Sequence, residues 1–206
     1  MNAILSLTMG YFIDCINPAA WIGKKKNVNL KEEGTGNLGA TNTALVLGRK
    51  AGYFVLISDM LKSIISYKIA KIIFPRLLLA GLIAGIGVLL GHCFPVTMHF
   101  QGGKGLAAFG GLVLAHDPLA FAVLLSLGIA LAFAFNYGVY LAISAAALFP
   151  LFAYLRSGDL GVLLLTAIAG SLIIVMHWSN LRRAITHEDP IRVRSGLKKI
   201  FGKNEE

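Results

Sequence analysis

This sequence is short of charge. Only 14% of its 206 residues are Asp, Glu, Lys or Arg, 56% are hydrophobic, and the mean hydropathy is +0.72. That shortage excludes an ordinary soluble domain and defines a polytopic membrane protein. Cysteine is scarcer still, with only 2 residues. Cys15 and Cys93 lie inside or at the ends of apolar stretches, which excludes a disulfide framework and a cysteine metal cluster and leaves them as small buried residues. Acidic residues number 10 against 19 basic ones, a formal charge of +9. The basic residues fall in patches between and after apolar spans, so they report membrane orientation and not a nucleic-acid partner. The first apolar stretch lacks a basic leader and carries Asp14, Asn17 and Pro18, which excludes a signal peptide and reads as a retained helix. No internal repeat and no long linker interrupts the chain, so residues 1–206 read as one domain with a basic tail from about 188.

What is present is an all-α pattern. Windows of the ~20 apolar residues needed to cross a bilayer begin near Ala3, Gly52, Leu77, Ala120, Tyr140 and Leu160. A shorter piece runs from Leu106 to Ala115, and counting it as a short or re-entrant crossing makes seven transmembrane helices instead of six. Lys24, Lys25, Lys26, Lys31, Arg49 and Lys50 crowd the first loop, and Arg182, Arg183, Arg192, Arg194, Lys198, Lys199 and Lys203 crowd the tail. Both regions are expected on the cytoplasmic side, with the N-terminus outside. An odd number of crossings satisfies that arrangement, against which Lys71 and Arg76 in an outer linker argue mildly.

Polar text is concentrated at residues 24–50, 92–105 and 177–195, all on the expected inner face. In the first stretch, Gly34, Gly36 and Gly39 alternate with Thr35, Asn37, Thr41 and Asn42, a composition that wraps a polar ligand or makes a glycine turn before a capped helix. In QGGKGLAAF, Gly102, Gly103 and Gly105 surround Lys104 ahead of an apolar helix. Open amides at a helix start beside a lysine suit a phosphate, the alternative being glycines that let helices pack closely. The spacing is not that of a Walker loop. His92 and His99 have no carboxylate or cysteine at metal-ligand spacing, so no metal is expected. His177, Asn180, Arg183 and His187 would share one side of a continued last helix and hold a phosphorylated polyol, or else form a basic interfacial collar. Asp59 and Lys62 are expected to neutralise each other at membrane depth, with Asp14 answering to Lys62 as well. Trp21 and Trp178 read as interfacial anchors.

GTGNLGATN, then DMLK at 59–62, then GHCFPVTMHFQGGKG, then HWSNLRR resemble, in order and over nearly the whole chain, the bacterial acyl-phosphate:glycerol-3-phosphate acyltransferase family. The resemblance implies seven transmembrane helices, a cytoplasmic site in the bacterial inner membrane, and transfer of a fatty acyl group from acyl phosphate to the 1-hydroxyl of sn-glycerol 3-phosphate. It implies no cofactor and no metal, with membrane lipid and the two substrates as partners. The oligomeric state stays open. Departures occur where the family's Gly-Ser-x-Pro is Asp14, Cys15, Ile16 and Asn17, its serine is Thr35, an arginine is Leu45, a basic residue is Gln101, a threonine is Ala108, and a glutamate is Ser179.

Acyl phosphate is already activated, and the chain carries neither a Gly-x-Ser-x-Gly elbow nor a His followed five residues later by Asp, so direct attack by the hydroxyl is expected. Lys104 with the amides of Gly102, Gly103 and Gly105 would hold one phosphate. Thr35, Asn37, Asn42, His177, Asn180 and Arg183 would hold the other substrate and polarise the carbonyl. His92 joins the binding set, and Arg49 stands in for the missing arginine at 45. A non-catalytic paralogue or an anion transporter are the rival readings.

Overall fold

The computed structural model describes residues 1–188 and 192–201, the side chains of 199–201 excepted, so Lys203 and the side chain of Lys199 lie outside the described residues. The described residues contain ten α-helices and no strand: α1 (Asn2–Asp14), α2 (Pro18–Lys25), α3 (Ala40–Leu47), α4 (Arg49–Ile73), α5 (Ala80–Cys93), α6 (Leu106–His116), α7 (Pro118–Phe135), α8 (Val139–Ser157), α9 (Leu160–Ile185) and α10 (Val193–Phe201). The first apolar stretch is therefore two helices. Pro18 removes an amide, and Asn17 accepts from the Ala20 amide at 2.9 Å, starting α2 afresh and leaving a break at Cys15–Ile16.

Five helical segments are long and apolar enough to cross a membrane: Asn2–Lys25, Ala80–Met98, Pro118–Phe135, Val139–Ser157 and Leu160–Ile185. The seven expected spans are not reached on that measure. α4 has the length, 25 residues, but carries Asp59, Lys62, Lys68 and Lys71. α6, with 11 residues, rises about 16 Å, roughly half of a ~30 Å hydrocarbon layer.

Glycines set how closely these helices meet. A Cβ at Gly10 would lie 2.0 Å from Ala84 O, at Gly87 2.0 Å from Leu7 O, and at Gly91 2.1 Å from Tyr11 O, so α1 and α5 touch backbone to backbone over several turns. One turn beyond that contact the fold brings Asp14 to His92. Gly111 does the same for α6 on α4, and Gly170 for α9 on α8. Phe109, Phe149, Leu89, Leu112 and Ile173 fill the centre of the bundle. Apolar side chains such as Phe12, Ile129, Leu151, Leu164 and Val175 point outward, as lipid-facing positions require. Cys15 and Cys93 are buried, and Trp21 and Trp178 are exposed.

A candidate anion site at the head of an apolar slot

After α5 the chain passes Pro95 and a short 3-10 turn at Val96–Met98, then reverses through left-handed His99 and Phe100. It returns against the end of α5. The Gly102 amide donates to Cys93 O and the Gly103 amide to His92 O, each at 3.0 Å. A Cβ at Gly102 would sit 1.9 Å from His92 O, and one at Gly103 would sit 2.4 Å from His92 Nε2. These two glycines are needed for close approach, and their amides are spent within the loop. The expectation that they cradle a phosphate is corrected accordingly. The open amides are instead those of the first turn of α6, which have no acceptor inside the helix. Gly105, at φ +78°, swings the chain into that helix, and Lys104 precedes it.

Lys104 Nζ donates to Asn180 Oδ1, joining the loop to α9. One turn earlier, His177 Nδ1 donates to Ile173 O at 3.0 Å, which fixes the tautomer and leaves Nε2 to the interior. Lys104, far in sequence from His177 and Asn180, meets them as expected. Arg183 lies a further turn along, exposed, and does not line the cavity. His187 falls off the row altogether: α9 stops at Ile185, the chain turns with φ +58° at His187, and its ring faces the Tyr137 hydroxyl at 3.4 Å.

The first loop packs over the same place. Asn42 is fully buried, its amide donating to Leu30 O at 2.9 Å and Glu33 O at 3.1 Å while its oxygen accepts from the Thr35 amide at 2.6 Å. It holds the loop and does not face a ligand, which corrects its assignment to substrate binding. Thr35 is exposed, its hydroxyl accepting from the Asn37 amide at 3.3 Å, and does not line the cavity. Asn37, Gly39, Ala40 and Thr41 do. Lys31 Nζ donates to Gln101 Oε1 at 3.1 Å, tying the two loops together. Arg49 opens α4 and is not on the cavity wall.

A third polar group lies beneath the glycine loop. Lys62 Nζ contacts Asp14 Oδ1, lies 3.1 Å from Asp59 Oδ1, and donates to Ile16 O at 2.8 Å, a carbonyl released by the break in the first span. The expected pairing of both aspartates with Lys62 is thus present. His92 Nδ1 lies 3.3 Å from Asp14 Oδ2 and 4.0 Å from Asp59 Oδ1. Chain spacing offered His92 no carboxylate, but the fold offers two. Asp14, Asp59 and His92 bring one donor atom each within 4.8 Å of one another, with the Lys62 ammonium against both carboxylates. Sequence reasoning misses this grouping because its members come from three helices.

These groups open on a cavity of about 370 Å³. Asn37, Asp59, His92, Lys104 and His177 form its polar head, and Lys104 is the only lysine or arginine among the described residues lining it. Leu56 and Met60 of α4, Phe109 and Val113 of α6, Phe121 and Leu124 of α7, and Leu141 of α8 form an apolar extension. The class these features define is a membrane helix bundle with a lysine and a helix N-terminus at the head of an apolar slot.

The particular family is equally plain. The model of the family described as glycerol-3-phosphate acyltransferase matches residues 4–187, and the chain belongs to that family. It is 34% identical over 186 residues to the glycerol-3-phosphate acyltransferase of Thermoanaerobacter sp. (strain X514), covering 90% of this chain and 93% of that one. It is 35% identical over 184 residues to that of Fusobacterium nucleatum subsp. nucleatum, covering 87% and 93%. A crystal structure of PlsY (YgiH), an integral membrane glycerol 3-phosphate acyltransferase in its glycerol 3-phosphate form, matches with a TM-score of 0.85 at 31% identity, covering 92% of this chain and 94% of that one. The lysophosphatidic acid form of the same enzyme matches with a TM-score of 0.85 at 29% identity, covering 96% and 99%.

Proposed function

We propose that this protein transfers a fatty acyl group from acyl phosphate to the 1-hydroxyl of sn-glycerol 3-phosphate, giving lysophosphatidic acid and phosphate. One observation carries the reading: Lys104 and the α6 N-terminus sit beside His177 and Asn180 at the head of an apolar slot. A donor with a phosphate head and an acyl tail fits both ends of that slot at once. The anhydride carbonyl is already activated, so the protein's task is to hold the hydroxyl in line with it and to stabilise the charge that develops on the carbonyl oxygen. Lys104 and the amides at positions 106–108 take the phosphate charge. Asn37, His177 and Asn180 orient the second substrate, and Thr35, Arg49 and Arg183 take part as groups reached by a ligand that extends beyond the cavity wall. The bond from the hydroxyl oxygen to the carbonyl carbon forms, the bond from that carbon to the phosphate oxygen breaks, and the hydroxyl proton ends on phosphate. The whole chain acts as one unit in a bacterial inner membrane, with the site and the C-terminus on the cytoplasmic side.

The test is to supply purified protein in detergent with palmitoyl phosphate and glycerol 3-phosphate and follow both phosphate and lysophosphatidic acid. Equal release of the two, lost in Lys104→Ala, is expected. Phosphate release no greater than that of Lys104→Ala would remove the reading. Equal activity with an acyl thioester would replace the donor.

A further inference from the structure

Two adjacent glycines of α6 differ in what their missing side chains allow. A Cβ at Gly111 would lie 2.4 Å from Met60 O, so that glycine is required where α6 touches the backbone of α4. Gly110 has no such duty. A Cβ there would meet one atom within 4 Å, Phe121 Cε2 at 3.6 Å, an ordinary van der Waals contact, and its backbone is regular right-handed helix. Glycine weakens a helix interior relative to alanine, so neither packing nor backbone conformation accounts for it at this position. The space in front of it does. Gly110 and Phe121 both line the cavity, from α6 and α7 respectively. Gly110 stands four residues after Leu106, about 6 Å along the helix axis from the anion-binding end. With only a cavity-lining ring near its Cβ direction, a larger side chain at 110 would enter the slot part-way down.

We propose that Gly110, with Phe121 opposite it, sets the length of acyl chain that the slot admits. The inference rests on the acyl-transfer reading above and deepens it by naming the residues that select the donor's tail. A tail drawn from a bilayer or micelle leaves surroundings as apolar as the walls it enters, so an added methylene brings no hydrophobic gain. Length is then chosen by steric exclusion, and exclusion acts where a side chain would close the passage. Tail atoms next to the carbonyl lie above position 110 and are indifferent to it, whereas a long tail must pass between Gly110 and the Phe121 ring. One methylene too many or too few in a close-fitting apolar pocket changes kcat/KM by about 10- to 200-fold. A single glycine in this place is therefore enough to divide long donors from short ones.

The experiment gives the full-length protein in detergent glycerol 3-phosphate and a series of saturated acyl phosphates from butyryl to arachidoyl. One detergent concentration is used throughout, so that partition into micelles is common to all variants. Gly110→Leu is expected to lower kcat/KM for palmitoyl phosphate by at least about tenfold relative to the shortest donor that the unaltered protein uses. The KM for glycerol 3-phosphate should stay within about twofold, since that substrate meets the polar head. Phe121→Ala widens the same passage and is expected to raise arachidoyl phosphate relative to palmitoyl phosphate by at least about threefold. A general packing fault would lower all donors alike and would not move the two variants in opposite directions. Gly110→Ala should melt no lower than the unaltered protein, because its methyl fits 3.6 Å from the Phe121 ring. A lower melting temperature there would assign the glycine to packing and overturn the proposal. An unmoved donor profile in folded Gly110→Leu, or an equal loss across the series, overturns it whatever Phe121→Ala does. If Gly110→Leu does not elute as folded protein, Phe121→Ala decides: a relative gain for arachidoyl phosphate supports the proposal and an unchanged profile overturns it. An unaltered protein that releases no phosphate from any donor removes the acyl-transfer reading itself. An active unaltered protein whose profile Gly110→Leu leaves in place removes only the role of Gly110.

Discussion

The two ends of this bundle solve the problem of polar groups in a membrane in opposite ways. At the end where α6 gives way to α7 and α8 to α9, Asp117 caps α7 by accepting from the Leu119 and Ala120 amides and also contacts Arg156, while Asp159 caps α9. Every one of those groups is answered by a neighbour within a short connection. At the other end, 12 residues separate α5 from α6, a longer loop leads into α3, and both loops fold inward. There Lys104, His177, His92 and Asp59 are aimed at a cavity. The capped end closes the helices, and the glycine-rich end arranges charge around a space. Substitutions at the two ends should accordingly fail in different assays.

The largest effect is expected at Lys104. Lys104→Ala should cut phosphate release by about 100- to 1,000-fold, as removal of one preorganised electrostatic group does, with little change in melting temperature. Next is Gly103→Ala. The added methyl would meet His92 Nε2 at 2.4 Å and Leu38 O at 2.7 Å, the latter being backbone that cannot swing aside. Overpacking of about 1–3 kcal/mol is expected, together with a fall of at least about tenfold in kcat/KM as Lys104 is displaced. Thermal unfolding in detergent and steady-state kinetics read the two parts separately. Asn42→Ala strips the partners from the Leu30 and Glu33 carbonyls and the Thr35 amide at once. It should lower stability by about 1–3 kcal/mol and act on turnover only through the loosened loop, so that the KM for glycerol 3-phosphate rises more than kcat falls.

The smallest effect is expected at the capped end. Asp117→Asn keeps the cap and loses only the charge on the exposed Arg156, worth under about 1 kcal/mol, and kcat should stay within about twofold. Burial works against ionisation of the Asp117 carboxyl, but the Ala120 amide, the Arg156 guanidinium and the Leu119 amide outweigh it and hold the group below the usual carboxylate range. A depressed group contributes its full stability above its unfolded value, about 3.9, and loses it as pH falls through the lower folded value. A melting-temperature profile between pH 3 and 6 should therefore flatten slightly in Asp117→Asn. A large loss of turnover at position 117 would contradict the division of labour between the two ends.

Much of the fold is legible in the residues alone. Apolar windows beginning near Ala120, Tyr140 and Leu160 match α7, α8 and α9 within a few residues, because long runs without charge carry an unambiguous signal. The short piece after the glycine loop is α6. The break in the first span escapes a reading by hydropathy, although Asn17–Pro18 carries the signal of a helix start. At the site, the convergence of Lys104, His177 and Asn180 follows from motif order and not from any local pattern. The roles of Asn42, Gly102 and Gly103 are misjudged from sequence for a common reason. Side-chain and amide chemistry can be read from residue type, but whether a donor is already spent depends on which backbone folds against it.

The sequence by itself determined that this chain lives in a membrane, that it is helical, and that its polar residues gather at three places, since hydropathy and residue chemistry belong to each segment alone. Tertiary structure decided which of those residues face a common space. Glycine contacts between α1 and α5 set Asp14 against His92, and α4 brings Asp59 and Lys62 to the same point. Asp14 is far from all of these partners along the chain, and no periodicity links them. Only the close packing of helices, fixed by where a Cβ is absent, makes them neighbours.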